Sequence, residues 1–120
     1  MRRRTLLAAS FAAIGPAAAQ PRLPDGPVTI IAPYTPGTGP DIHARLIAPV
    51  LQARLGQSVI VENRAGASGN IGTQAVARAA PDGRTLLMQA NTFVMNPSLF
   101  RQVPYDPIGS FTPKANSSAA

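Results

Sequence analysis

The sequence has no cysteine, one histidine and five acidic side chains, and each shortage removes a class of chemistry. Without cysteine there is no disulfide to staple the chain and no thiolate for catalysis or metal binding. The single histidine, His43, cannot build a usual zinc site without cysteines. Asp41 lies two residues before it, a spacing that turns the two side chains to different faces of a helix, so His43 reads as a surface or ligand-edge residue. Glu62 has no second carboxylate near it in sequence for an acid–base pair. Aromatic residues make up only 5% of the chain. They do not interleave with the arginines, which are scattered singly from Arg22 to Arg101, and this argues against nucleic acid as a partner.

The amino terminus accounts for part of the basic charge. "MRRRTLLAASFAAIGPAAAQ" runs from Arg2, Arg3 and Arg4 through an apolar segment, Leu6 to Ile14, to a small-residue "AAA" before Gln20. That order is the layout of an export signal. The apolar segment is well short of the roughly 20 residues that a membrane-spanning helix needs. Residues 1–19 are therefore expected to be a signal peptide cleaved near Ala19, and the mature chain to be exported. The arginine pair also loosely fits a twin-arginine signal, while the general secretory route is served equally well. Beyond Ala19, eight basic side chains face five acidic ones, a balance of +3. About a hundred residues remain, enough for one domain with a core.

From Val28 the pattern is regular. "VTIIA" is β-branched and apolar, as a strand buried on both faces would be. After the turn "PYTPGTGPD", Ile42, Leu46 and Val50 recur at helical spacing, and Gly56 ends the run. Pro49 is expected to kink this helix about one turn back, near Arg45. "SVIVE", Ser58 to Glu62, reads as a second buried strand. "NRAGASGN" leads into a short alanine-rich helix, Ile71 to Ala80, closed by the turn Pro81 to Gly83. "TLLMQ" from Thr85 reads as a third strand, and "NPSLF" as a helix start with Asn96 as cap and Pro97 at the first position. Residues 114–120 read as a disordered tail.

Strands alternating with helices over short connections imply an α/β fold, a parallel sheet with helices on both faces. Ligands of such sheets sit outside the carboxyl ends of the strands. The three strand-to-helix junctions, Pro33 to Asp41, Asn63 to Asn70 and Gln89 to Asn96, all fall on that edge. Gly37 and Gly39 permit close backbone approach, and exposed N–H groups at a helix start favour an anion. Thr38, Ser68 and Asn70 are candidate side-chain partners for a carboxylate or phosphate. The bland alternative is that the glycines only make tight turns and Asp41 only caps a helix. Tyr34, though at this edge, and Tyr105 read as packing residues. Nucleotide fingerprints fail: "GTGPDI" has Ile42 where a third glycine belongs, and "GASGNIG" lacks the Lys and Ser or Thr of a phosphate loop.

The block from "VTIIAPYTPGTGPDIHARLIAPVL" through "VENRAGASGNIGTQAVARAAPDGRTLLM", with "NPSLF" and "VPYDPIGSFTP" after it, resembles the extracytoplasmic solute receptors of tripartite tricarboxylate transporters, the Bug family. The resemblance covers about residues 24–113. It implies a periplasmic-binding-protein-like fold whose two α/β lobes close on a small carboxylate, which is then passed to membrane permease subunits. It implies neither enzyme activity nor a cofactor. Carried over by position, the ligand loops are Tyr34, Gly37, Thr38, Gly39 and Asp41; Gly66, Ser68, Gly69 and Asn70; and Asn91 with Thr92. Two departures stand out: Thr38 replaces the second of two adjacent glycines, and Ser110 stands where an acid commonly precedes the phenylalanine. Residues 20–113 then read as an incomplete amino-terminal lobe, with the second lobe missing through truncation, frameshift or a cut gene model. A small α/β enzyme acting on a phosphorylated or nucleotide substrate through the same loops, or a non-functional fragment, are the rival readings.

Overall fold

The computed structural model describes residues 23–112; the export signal, its cleavage near Ala19 and the tail 114–120 lie outside them. Three parallel strands form one sheet in the order β2-β1-β3: β1 (Val28–Ala32), β2 (Val59–Asn63) and β3 (Thr85–Leu87). Ile30 of β1 pairs with Val61 on one side and Leu86 on the other. The first strand therefore lies in the centre, and its residues Val28, Ile30, Ile31 and Ala32 are buried, as its nearly all-apolar run predicts.

Helix α1 (Gly39–Leu55) packs on β1 and β2, and helix α2 (Asn70–Ala77) on β1 and β3. The chain crosses the sheet one way through α1 and the other way through α2, so right-handed crossovers place the two helices on opposite faces. The expected α/β architecture is thus present. The second helix begins at Asn70, not Ile71, and ends at Ala77, not Ala80. The second strand is shifted one residue onward, to Val59–Asn63, and is not buried on both faces: it is an edge strand with Ile60 51% exposed.

Helix α1 buries a face of small residues. Asp41, Ala44 and Ala48 point inward, and Ile30, Ala44 and Ala48 form a core cluster with Leu51, Val59, Val61, Leu86 and Met88 packed around it. The larger residues that marked the helix in sequence, Ile42, Leu46 and Val50, lie on the exposed side, Leu46 at 67%. The helix runs unbroken through Pro49 and ends at Gly56, which adopts the left-handed conformation and donates its N–H to the Gln52 carbonyl.

Helix α3 (Thr92–Leu99) departs most from its sequence reading. Its N-cap is Asn91, while Asn96 and Pro97 sit inside it. A proline within a helix leaves the carbonyl four residues earlier without its donor; here that is Phe93. The Tyr105 hydroxyl donates to the Phe93 carbonyl at 3.1 Å, supplying the missing bond from a later turn. The Phe93 and Tyr105 rings stack at 5.4 Å, and Phe111 meets Phe93 edge-on at 5.2 Å. Burial raises the Tyr105 pKa above the ordinary phenol value. Ser110 has its own structural task, its hydroxyl accepting the Asp106 N–H at 3.1 Å while its N–H donates to the Asp106 carbonyl.

Candidate binding edge

The carboxyl ends of β1, β2 and β3 open into three segments, and three hydrogen-bonded groups tie them together. The first is built on Asp41, 3% exposed at the third position of α1. Its Oδ2 accepts the Gly37 N–H at 2.8 Å, and its Oδ1 accepts from Arg45 Nε and Asn63 Nδ2, each at 3.0 Å. Asn63 Nδ2 also donates to the Tyr34 carbonyl, and Arg45 Nη2 to Asn63 Oδ1. Asp41 thus folds the glycine turn back onto its helix and joins it to the end of β2. The Thr38 side chain makes no cap; it donates to the Thr35 carbonyl at 2.8 Å.

Four donated or shared interactions lower the Asp41 pKa from 3.8 to about 2: the Gly37 N–H first, then Arg45 and Asn63, with the Arg45 charge adding a smaller pull. A carboxylate favoured in the folded state contributes stability above its unfolded pKa, and that contribution fades as pH falls from near 3.8 toward about 2. Urea midpoints of the native chain are therefore expected to drop over this acid range more than those of Asp41→Asn. Parallel pH profiles for the two proteins would remove Asp41 as the titrating group.

The second group runs through Tyr34. Its hydroxyl donates to Gln89 Oε1 and shares a hydrogen bond with Thr92 Oγ1. Gln89 Nε2 donates to Thr73 Oγ1 at 2.7 Å, and Thr73 Oγ1 donates to the Gly69 carbonyl at 2.6 Å. This chain joins all three segments across the boundary between β1 and β3, where sheets of this strand order have their switch point. Tyr34 is therefore more than the packing residue its sequence context indicates. The third group places Asn70 and the Ser68 carbonyl against the Asn96 amide at 2.8 and 2.9 Å.

The segment from Gly66 to Gly69 has positive φ throughout, at 134°, 49°, 54° and 88°. The Gly69 N–H donates to the Gly66 carbonyl and that of Asn70 to the Ala67 carbonyl. Among the described residues, no acceptor meets the N–H groups of Gly39, Ala67 or Ser68. At Gly39 φ is not positive, and a Cβ there would meet nothing within 4 Å outside the adjoining Thr38 and Pro40. Gly72 is the opposite case, pressed against Pro33 and the Arg64 carbonyl. Asn91 is exposed, and its side chain makes no cap bond.

Sequence reasoning singled out Tyr34, Asp41, Ser68, Asn70 and Thr92, and the fold brings all of them to this edge. It missed Asn63, Gln89, Thr73 and Asn96 as connectors. Asn63 ends β2 and Gln89 follows β3 by two residues, a polar residue at the carboxyl end of a largely apolar run being the available signal; Thr73 and Asn96 carry none. His43 is exposed, and Glu62 pairs with Arg64 at 2.6 Å. Among the described residues no cluster of three or more His, Cys, Asp or Glu could hold a metal, and no helix is long and apolar enough to cross a membrane.

The chain has counterparts among known proteins. Residues 43–119 match the tripartite tricarboxylate transporter family receptor model. Protein BugT of Bordetella pertussis is 42% identical over 92 residues, covering 75% of this chain and 28% of BugT. The periplasmic binding protein BugD superposes with a TM-score of 0.72 at 42% identity, over 75% of this chain and 30% of BugD. MatC of Rhodopseudomonas palustris, solved with bound malate, gives 0.65 at 36% identity, over 75% of this chain and 31% of MatC. The chain spans under a third of the length of each of these relatives. Sequence and fold agree, and the chain belongs to the receptor family of tripartite tricarboxylate transporters.

Proposed function

We propose that this chain supplies the amino-terminal portion of a periplasmic receptor that binds a small carboxylate and passes it to membrane permease subunits, with no chemistry of its own. The observation that carries the reading is the glycine at position 39. It is the first residue of α1, its N–H has no acceptor among the described residues, and outside the adjoining residues a Cβ there would meet no atom within 4 Å. Room for a ligand to approach the backbone accounts for it. A helix start presents N–H donors with the helix dipole behind them, which suits a carboxylate. The unpaired N–H groups of Ala67 and Ser68 lie on the same edge of the sheet, and Thr38, Asn70, Asn91 and Thr92 border it. That MatC holds malate supports a dicarboxylate ligand.

Amide NMR spectra of the chain titrated with malate, citrate and ATP test the proposal. The expected result is carboxylate-dependent shifts at Gly39, Ala67 and Ser68, reduced at least several-fold in Gly39→Ala, with urea midpoints measured alongside because alanine's helix propensity favours the variant while a Cβ before Pro40 opposes it. Shifts with ATP alone, accompanied by turnover, would replace the receptor with an enzyme. Export is expected as well: mass spectrometry of a periplasmic fraction should find a chain beginning near Gln20, and finding only uncleaved cytoplasmic protein would refute it.

A further inference from the structure

Asn96 is 1% exposed in the middle of α3, where asparagine is a poor helix former. Both hydrogens of its amide point into another part of the fold, Nδ2 donating to the Ser68 carbonyl at 2.9 Å and to Asn70 Oδ1 at 2.8 Å. Its Oδ1 is buried without a partner among the described residues. A helix would not keep such a side chain for its own sake, since an unpaired buried acceptor is unfavourable.

The segment that it holds has the least favourable backbone in the described chain. Ala67 and Ser68 are the only non-glycine residues there with positive φ, and they are adjacent. Such conformations persist only where their surroundings over-determine them. The bonds from Gly69 and Asn70 back to Gly66 and Ala67 lie inside the turn, and Thr73 holds the Gly69 carbonyl from the next turn of the same segment. Among the described residues, only Asn96 reaches the Ser68 carbonyl from a distant element.

We propose that Asn96 is a positioning residue for the carboxylate site: from α3 it sets the left-handed turn Gly66–Gly69, so that the segment after β3 dictates the shape of the loop after β2. The proposal rests on the receptor reading of that loop. The amide suits the task because it offers two hydrogens without charge, one for a main-chain carbonyl and one for a side-chain acceptor. The same left-handed run leaves the Ala67 and Ser68 N–H groups without acceptors inside the turn.

The test uses the full chain. Three-bond HN–Hα couplings and Cα shifts at Ala67 and Ser68 report the left-handed turn, and malate-induced amide shifts report its use. Asn96→Ala is expected to abolish the left-handed signature at both residues and to reduce their malate shifts at least five-fold, while resonances of Ile30 and Val61 stay in place. Adding Ser68→Gly to Asn96→Ala is expected to restore most of the malate response, because glycine adopts this conformation without help; a residue needed only for general stability would not be rescued in this way. If Asn96→Ala does not fold, the same glycine must restore folding, and failure of that rescue overturns the proposal. An unchanged left-handed signature in Asn96→Ala overturns it too. Loss of the signature, with no malate response in the native chain, would uphold the positioning of the turn and overturn the carboxylate reading beneath it.

Discussion

Gly72→Ala is expected to lower stability by about 3 kcal/mol or to prevent folding, the upper end of what overpacking usually costs. An added Cβ would sit 2.6 Å from Pro33 Cβ, 2.8 Å from the Arg64 carbonyl oxygen and 2.9 Å from Pro33 Cα. None of these atoms is the tip of a flexible side chain. Relief would require α2 to move off the end of β1, which would pull Thr73 and Gly69 from Gln89 and break the chain that begins at Tyr34. The helix-propensity gain from glycine to alanine is about 1 kcal/mol and runs the other way, so the sign of the result separates packing from propensity. A urea midpoint equal to or above the native value would show that the helix and strand can part without loss.

The second large effect concerns affinity. The 120-residue chain alone is expected to bind malate no tighter than about 1 mM, near 4 kcal/mol of binding free energy, too weak for a saturable calorimetric signal at lower concentrations. The family's two-lobed fold gains affinity by closing round the ligand and excluding water. On the proposed reading, the donors at Gly39, Ala67 and Ser68 would form one side of such a cleft. When hydrated they gain little from exchanging water for a carboxylate, because charge interactions across water are small. A monomer binding malate, citrate or an acidic amino acid near micromolar would show that these loops suffice by themselves.

Much of the fold is legible from local pattern. The β-branched run at Val28–Ala32 can only be buried in a sheet, and Gly56 marks the end of α1 because few other residues take its left-handed conformation. Asp41 is legible as an acid in the first turn, whereas its partner Arg45, four residues on, is one that the helical spacing offers and the sequence reading missed. Asn63 is not, because its place beside Asp41 depends on the pairing of β1 with β2. The start of α3 is misjudged from Asn96–Pro97 for a related reason. Proline is a poor interior residue when its orphaned carbonyl has no other donor, and here Tyr105 supplies one from beyond the helix. The inward face of α1 is likewise hidden: spacing shows a helix, but alanines rather than the larger Ile42, Leu46 and Val50 meet the sheet. Which stripe faces inward is decided by how closely the helix must approach β1 and β2.

The central place of β1 has a consequence for the order of assembly. It is the first of the three described strands to be synthesised, yet its two neighbours come from later in the chain, and the register needs Val61 on one side and Leu86 on the other. Parallel pairing permits no local hairpin to begin the process, so every contact along β1 closes a long loop. Until Leu87 has emerged, Ile30 and Ile31 have at most one flank covered, and the edge left open can pair with another nascent chain. Folding of this segment is thus expected to begin late, once three distant stretches are present together, which fits the export proposed for this chain.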